Sequence, residues 1–212
     1  MRREFARLEA EIGLCDRCYG FEPRWVTRFE RPEDEARILL VSERPPRALL
    51  ESQERVGLSA TDGTTRTLRA MIEQAGIPAA HVVLAAAMLC RPRSTRLEAA
   101  VPATTCVREC AHHVRDLVLA LRPRLIVPLG RVALRSLRFA FAEHEAIARL
   151  RFPSSVGRTV QAGDTFIHPL YLTTGRARAH RPIDQQERDW RAVGRLWQWI
   201  EQGERGPAPG PV

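Results

Sequence analysis

The sequence predicts an α/β protein, a three-layer α/β/α sandwich around a central, mainly parallel four-stranded sheet. Two observations support this fold class: short apolar runs recur with turn residues at both ends, and amphipathic helical segments lie between them. Runs of this length indicate strands that are buried on both faces, as in parallel sheets. The alternation of strand and helix indicates right-handed crossovers that cover both faces of the sheet.

Four apolar runs are the predicted strands, at positions 38–41, 82–87, 125–129 and 166–167. The third strand should end or bulge at Pro128, because proline lacks a backbone donor. Ligands of open α/β sheets bind at the carboxyl ends of the strands. The segments that follow the first, second and fourth strands are therefore expected to meet at one rim.

Four segments carry apolar residues at helical spacing, at positions 64–75, 106–121, 132–141 and 184–200. Within the second of them, His112 and His113 are adjacent and point in different directions, so we expect partly exposed helical positions rather than a metal site. One domain is predicted over residues 1–202. Residues 203–212 are rich in glycine and proline and are predicted to be disordered.

The composition limits the class of protein. A chain of 212 residues that is 44% hydrophobic suits one globular domain, and no apolar run approaches the roughly 20 residues that cross a bilayer. The first residues lack the apolar stretch of a secretory signal, so a cytoplasmic location is expected. The net charge is +8 with arginine as the only strong cation. GC-rich coding explains the arginine bias, but the excess charge still attracts polyanions such as nucleic acid.

The cysteines have the spacing of metal ligands. Cys15 and Cys18 form a C-x2-C pair, Cys90 follows the second predicted strand, and Cys106 follows after 15 intervening residues. Four such thiolates hold either zinc or an iron–sulfur cluster. Cys110, one helical turn beyond Cys106, could replace it as the fourth ligand or could be a core residue.

These motifs resemble the iron–sulfur enzymes of the uracil-DNA glycosylase superfamily, its families 4 and 5. The cysteine pair, the Cys90-Arg91-Pro92 triplet and Cys106 match their cysteine framework. The run 38–46 resembles the first family 4 motif, the run 123–130 resembles a conserved strand, and the run 168–172 resembles the H-P-A-Y-L of the second motif. The resemblance spans about residues 14–199.

The resemblance implies a monomeric DNA glycosylase of base-excision repair, which hydrolyses the N-glycosidic bond of a deaminated base such as uracil. Such enzymes rotate the nucleotide out of the duplex, and a donor aimed at the departing base stabilises the transition state. A four-iron, four-sulfide (4Fe–4S) cluster would be structural, with zinc as the alternative. A non-catalytic DNA-binding relative and a zinc-stabilised α/β protein of unrelated function are the competing interpretations.

The resemblance also implies site residues. Glu43 falls on the first-motif carboxylate and His168 on the second-motif histidine, while Asp62 matches a family 5 aspartate or is a helix N-cap. Cluster ligands would be Cys15, Cys18, Cys90 and Cys106. Positions implied to contact the base or the DNA are Ser42, Pro45, Ala86, Arg91, Arg176 and Arg178.

The chain departs from family 4 where the base is read. The asparagine that pairs with uracil is replaced by Ala86, which has no group to pair with the base, and the chain has no asparagine at all. The segment 57–61 also lacks the aromatic residue on which the base stacks. Strict uracil specificity is therefore not expected.

Overall fold

The computed structural model describes residues 2–101 and 103–203, and its main element is a five-stranded mixed sheet. In chain order the strands are β1 (Arg24–Val26), β2 (Ile38–Ser42), β3 (Val82–Ala86), β4 (Cys90–Pro92), β5 (Leu125–Pro128), β6 (Val160–Ala162) and β7 (Thr165–Ile167). The helices are α1 (Arg2–Leu14), α2 (Arg47–Glu51), α3 (Gly63–Gln74), α4 (Thr95–Ala100), α5 (Ala103–Leu121), α6 (Gly130–Ala140), α7 (Glu145–Ala148), α8 (Gly175–Arg178) and α9 (Ile183–Glu201). A short 3-10 helix covers Ala79–His81.

The large sheet has the order β3-β2-β5-β7-β6. The first four of these strands pair in parallel and correspond to the four apolar runs, whereas β6 pairs antiparallel with β7. The prediction of a four-stranded sheet was therefore wrong by one edge strand. As expected, the third strand ends at Pro128, which is the last residue of β5.

The parallel strands are buried on both faces. In β2, Leu39 and Val41 pack into one core with α1, α5 and α6, whereas Ile38 and Leu40 pack into a second core with α3 and α9. Successive side chains of a strand point to opposite faces, so the two cores lie on opposite sides of the sheet. This is the three-layer α/β/α arrangement that the sequence predicts.

The four predicted helices are present as α3, α5, α6 and α9. The packing of α9 on α3 needs a glycine, because a Cβ on Gly194 would lie 2.0 Å from the carbonyl oxygen of Ala75. Within the described ranges, no helix is both long and apolar enough to cross a bilayer. Of the tail predicted to be disordered, 204–212 lie outside the described residues.

A second, two-stranded sheet lies beside the main one. Its strands β1 and β4 are antiparallel, with Val26 opposite Cys90 and Trp25 opposite Arg91. The ribbon places Cys90 near the loop that follows α1. That loop is held by Arg24, which donates hydrogen bonds to the carbonyls of Gly13 and Gly20, on either side of the Cys15–Cys18 pair.

Candidate functional site

A cavity of about 330 Å³ opens at the carboxyl ends of β2 and β3. Its wall includes the turn after β2, Met88 after β3, the first turns of α3, and Leu172 and Thr174, which follow β7. The three segments expected at one rim therefore meet here. The volume lies at the lower end of the roughly 300–1,000 Å³ of small-molecule sites, and the position is the one at which open α/β sheets bind ligands.

Glu43 lies exposed at the mouth of this cavity. Its backbone is fixed, because the carbonyl of Glu43 accepts a hydrogen bond from the Met88 N–H at 3.0 Å, and the carbonyl of Ser42 accepts one from Ala87 at 2.9 Å. Within the described part of the chain, no hydrogen bond or ion pair engages the Glu43 carboxylate. The carboxylate is thus available to water or to a ligand.

Arg44 provides the opposite charge in the same wall, with a side chain that is only 12% exposed. Its guanidinium donates to the Glu98 carboxylate, to the Met88 sulfur at 3.0 Å and to the Tyr19 hydroxyl at 3.4 Å. Its Nε is buried and has no hydrogen-bond partner among the described residues. Arg44 was not predicted from the sequence as a site residue, although it directly follows Glu43.

Asp62 is the N-cap of α3, the alternative that the sequence left open. Its Oδ1 accepts hydrogen bonds from the backbone N–H groups of Thr64 and Thr65 at 3.0 and 3.1 Å, and its Oδ2 accepts one from the Thr65 hydroxyl at 2.6 Å. These bonds satisfy donors at the helix start that lack partners within the helix. Asp62 is not among the residues that line the cavity.

His168 follows β7 at the expected edge of the sheet, but its ring lies in the core. The residue is 4% exposed, its Nδ1 lies 2.9 Å from the Thr159 hydroxyl, and its Nε2 is buried with no partner among the described residues. It is not among the residues that line the cavity. Burial lowers the pKa of His168 to about 4, against an opposing effect of the Asp189 carboxylate, so the imidazole is neutral at pH 7.

This pKa predicts a pH dependence of stability. The unfolded chain binds a proton on His168 near pH 6.5 and the folded chain only near pH 4, so the free energy of unfolding falls as the pH drops through that window. Between pH 7.5 and 5.5 we expect a loss of about 1 kcal/mol from this residue. Urea unfolding of wild type and His168→Gln at both pH values measures it. An equal loss in both proteins would contradict the assignment.

Three other predicted contact positions are also located. Ser42 and Pro45 line the cavity, and the Ser42 hydroxyl donates to the carbonyl of Ala85 at 2.9 Å. Ala86 pairs with Ser42 in the sheet and is fully buried behind the wall. Among the described residues, no aromatic side chain, asparagine or glutamine lines the cavity. Aliphatic surfaces such as those of Met88 and Leu172 replace them.

The cysteines gather beside this cavity. The Cys18 thiol interacts with the thiols of both Cys106 and Cys110, and Cys90 lies within electrostatic reach of Cys15, Cys106 and Cys110. All five are free thiols, and those of the ribbon and of α5 are buried. Because Cys106 and Cys110 are one turn apart on the same face of α5, both reach the N-terminal loop.

The thiols strongly shift the pKa values of one another. Hydrogen bonds to Cys106 and Cys110 raise the pKa of Cys18, while the hydrogen bond from Cys18, helped by the Tyr19 hydroxyl, lowers the pKa of Cys106 to about 6. Burial raises the pKa of Cys90 to about 12. Thiols crowded in this way compete for negative charge, and a bound cation would relieve that competition.

The donor set fits a thiolate-bound metal centre. The sulfurs come from the loop after α1, from β4 and from α5, and they pack with Tyr19, Met88 and Val107 in an apolar cluster. Sulfur ligands in apolar surroundings suit iron–sulfur clusters as well as zinc. Tyr19 also connects the two regions, because its hydroxyl lies 3.2 Å from the Cys106 sulfur and accepts from Arg44.

The predicted DNA-contacting arginines differ in their surroundings. Arg91 lines the cavity and donates to the Glu98 carboxylate at 2.7 Å. Arg176 and Arg178 are exposed on α8, directly after the cavity residue Thr174, and within the described chain neither guanidinium has a hydrogen bond or an ion pair. Arg181, by contrast, binds the buried Asp189 carboxylate through two nitrogens, which makes it a structural residue.

A second basic feature was not predicted from the sequence. The guanidinium groups of Arg47 and Arg93 lie over the Trp25 ring, at 4.9 and 5.9 Å from its centroid. Arg47 also donates to the carbonyl of Arg93 at 3.2 Å. The three residues come from separate segments, so no local sequence signal could have joined them.

Comparison with known families agrees with this geometry. The family model described as Uracil DNA glycosylase superfamily matches residues 29–199. The match includes the turn that carries Glu43, the positions of Cys90 and Cys106, and the strand end at His168. It begins after the Cys15–Cys18 pair.

Proposed function

Because the chain belongs to the uracil-DNA glycosylase superfamily, we propose that it hydrolyses the N-glycosidic bond of a deaminated base in DNA. The observation that carries this proposal is the cavity at the carboxyl edge of the sheet, where Glu43 and Arg44 stand in one wall with opposite charges. The reaction develops the same two charges, a cationic sugar and an anionic base. Superfamily membership makes DNA the expected partner.

In the proposed mechanism the nucleotide is rotated out of the stack and its base enters the cavity. The Glu43 carboxylate, which has no competing partner among the described residues, orients the attacking water and stabilises positive charge on the sugar. The sequence analysis gave His168 the contact with the departing base. Since His168 is not among the lining residues, we assign electrostatic stabilisation of that anion to Arg44. We assign to His168 a structural role at the end of β7.

We further propose that Cys15, Cys18, Cys90 and Cys106 hold a 4Fe–4S cluster. The N-terminal cysteine loop, the ribbon and α5 each contribute thiols, and a cluster would join them as one structural unit next to Arg44. Cys110 is the alternative to Cys106, because both thiols interact with Cys18. Zinc bound by the same sulfurs is the alternative to the cluster.

The range of substrates should be broader than uracil. The Ala86 side chain offers no hydrogen bond, and none of the described residues that line the cavity has a side-chain amide that could pair with a base edge. Apolar side chains such as Met88 and Leu172 pack against the faces of a base but form no hydrogen bonds to its edge. Hypoxanthine and xanthine are therefore candidate substrates beside uracil.

A base panel tests the proposal. Purified protein is incubated with single-stranded and mismatched oligonucleotides that carry uracil, hypoxanthine or xanthine, and abasic sites are detected by alkaline cleavage. We expect cleavage at one or more of these bases and none at undamaged bases. Intact DNA binding with no abasic site from any base would instead support a non-catalytic relative. That alternative is also favoured because no lining residue in the described ranges carries a side-chain amide or an aromatic ring.

Arg176 and Arg178 are proposed to bind phosphates beside the cavity mouth. Replacing both by alanine should weaken DNA binding roughly equally on damaged and undamaged DNA. It should also reduce the slope of log K against log salt by about 1–2. Fluorescence anisotropy across a salt series measures this, with Arg188→Ala as control, since Arg188 on α9 pairs with Asp184. A larger effect of the control would contradict the assignment.

A further inference from the structure

Away from the cavity and the cysteines, three side chains with metal-binding groups converge between α1 and α5. They are Glu11 of α1, and His113 and Asp116 of α5. One ligand atom from each lies within 4.8 Å of the other two. Residues three apart on a helix share a face, so His113 and Asp116 both point toward α1.

His113 is the unusual member of this group. It is 4% exposed, and both of its ring nitrogens are buried without a hydrogen-bond partner in the described chain. A buried polar group without a hydrogen-bond partner lowers the free energy of unfolding by about 1–3 kcal/mol. Such groups are rare in native proteins and often mark a functional site or a bound ion. The sequence analysis expected a partly exposed position here, which was wrong for His113.

The carboxylates beside the imidazole are also available. Among the described residues, Asp116 makes no hydrogen bond or ion pair, and Glu11 has only Arg7 at 3.7 Å, on an exposed face. Neither carboxylate is hydrogen-bonded to His113, although their atoms lie within 4.8 Å. Three potential ligand groups therefore lie close together without forming hydrogen bonds to one another.

This spacing suits a bound ion. Nitrogen and oxygen ligands lie about 2.1 Å from Zn²⁺, so two ligands of one ion are at most about 4.2 Å apart. The three atoms here lie within 4.8 Å of one another, which is slightly wider than that limit. One imidazole with two carboxylates is a donor set that first-row divalent metals accept. An open depression lined by Glu11, Cys15 and His113 gives access from solvent.

We infer that Glu11, His113 and Asp116 form a second metal site, which binds a divalent transition-metal ion such as Zn²⁺ with water in its open positions. The ion joins α1 to α5. The cysteine loop begins directly after α1, and α5 carries Cys106 and Cys110 just before His113, so the ion fixes the two segments that bring the thiols together. The inference does not depend on glycosylase activity.

Titration of zinc chloride into the protein as purified, after dialysis against a chelator, tests this site. We expect one zinc per chain beyond any metal that the cysteines hold, and a rise of several degrees in Tm when the site is filled. Asp116→Asn should weaken zinc binding by at least about tenfold and abolish the Tm rise. Glu109→Gln is the matched control, because it removes one carboxylate from the same helix outside the trio.

The outcomes separate clearly. The site is supported if Asp116→Asn and Glu11→Gln each lose zinc binding while Glu109→Gln keeps it. Because His113 is buried and its replacement risks misfolding, the test rests on the two carboxylates. Equal zinc binding by wild type and Asp116→Asn, or an equal loss in the control, would overturn the inference.

Discussion

Glu43→Gln is expected to slow base release by about 10²- to 10³-fold, while DNA affinity changes less than about threefold. A positioned general base contributes about 10²- to 10⁴-fold to a rate, and glutamine keeps the shape of glutamate but neither takes a proton nor stabilises a cation. The side chain is exposed and has no partner among the described residues, so its replacement should not disturb the fold. The loss should therefore appear in kcat rather than in binding.

The measurement is a single-turnover assay with protein in excess, on the base that wild type releases fastest, together with anisotropy titrations of the same DNA. Glu54→Gln is the matched control, because Glu54 is an exposed carboxylate that does not line the cavity. A wild-type rate of base release in Glu43→Gln would show that Glu43 is not catalytic and that another polar group of the cavity wall acts in its place.

Cys18→Ser is expected to have the second large effect. Its thiol interacts with those of both Cys106 and Cys110, and serine is a poor ligand for iron. We expect iron to fall below about a tenth of the wild-type content, and Tm to fall by about 10 °C as the N-terminal loop loses its anchor.

Cys110→Ser is the matched control for this experiment, because it removes a buried thiol from the same group but leaves the four proposed ligands. It should keep its iron. Iron content by inductively coupled plasma mass spectrometry and Tm by differential scanning calorimetry measure both effects. Full iron content in Cys18→Ser would contradict the proposed ligand set. If Cys110→Ser loses its iron while Cys106→Ser keeps it, the fourth ligand is Cys110 rather than Cys106.

The four parallel strands of the large sheet could be predicted from the sequence, whereas its antiparallel edge strand β6 could not. Strands β2, β3 and β5 are apolar because both of their faces are buried, and such runs stand out in any sequence. The edge strand β6 has three residues, Val160–Ala162, none of them fully buried. So short and partly exposed a segment has no periodicity that could reveal it.

The candidate site was predicted in position but only partly in composition. Strand order placed Glu43 and His168 at one edge of the sheet, and both lie there. Whether a side chain faces a cavity or the core depends on packing, and the Thr159 hydroxyl that binds the His168 ring comes from a loop with no recognisable signal. Arg44 was missed for a different reason: with 33 cationic residues, all arginine, charge alone does not distinguish one of them.

The spacing of the cysteines predicts a shared ligand sphere, but it does not decide between Cys106 and Cys110, both of which interact with the Cys18 thiol. A helix presents residues four apart on one face, so a C-x3-C pair on α5 gives two candidate ligands. Only a measurement on the metal centre separates them.

We propose that thiolates from the N-terminal loop, the ribbon and α5 share one inorganic centre beside the cavity. Iron and acid-labile sulfide analysis of protein purified without oxygen, read together with its absorption spectrum, tests this most directly. We expect about four irons and four sulfides per chain and a broad absorption at about 400 nm. A colourless protein without iron or sulfide would contradict it.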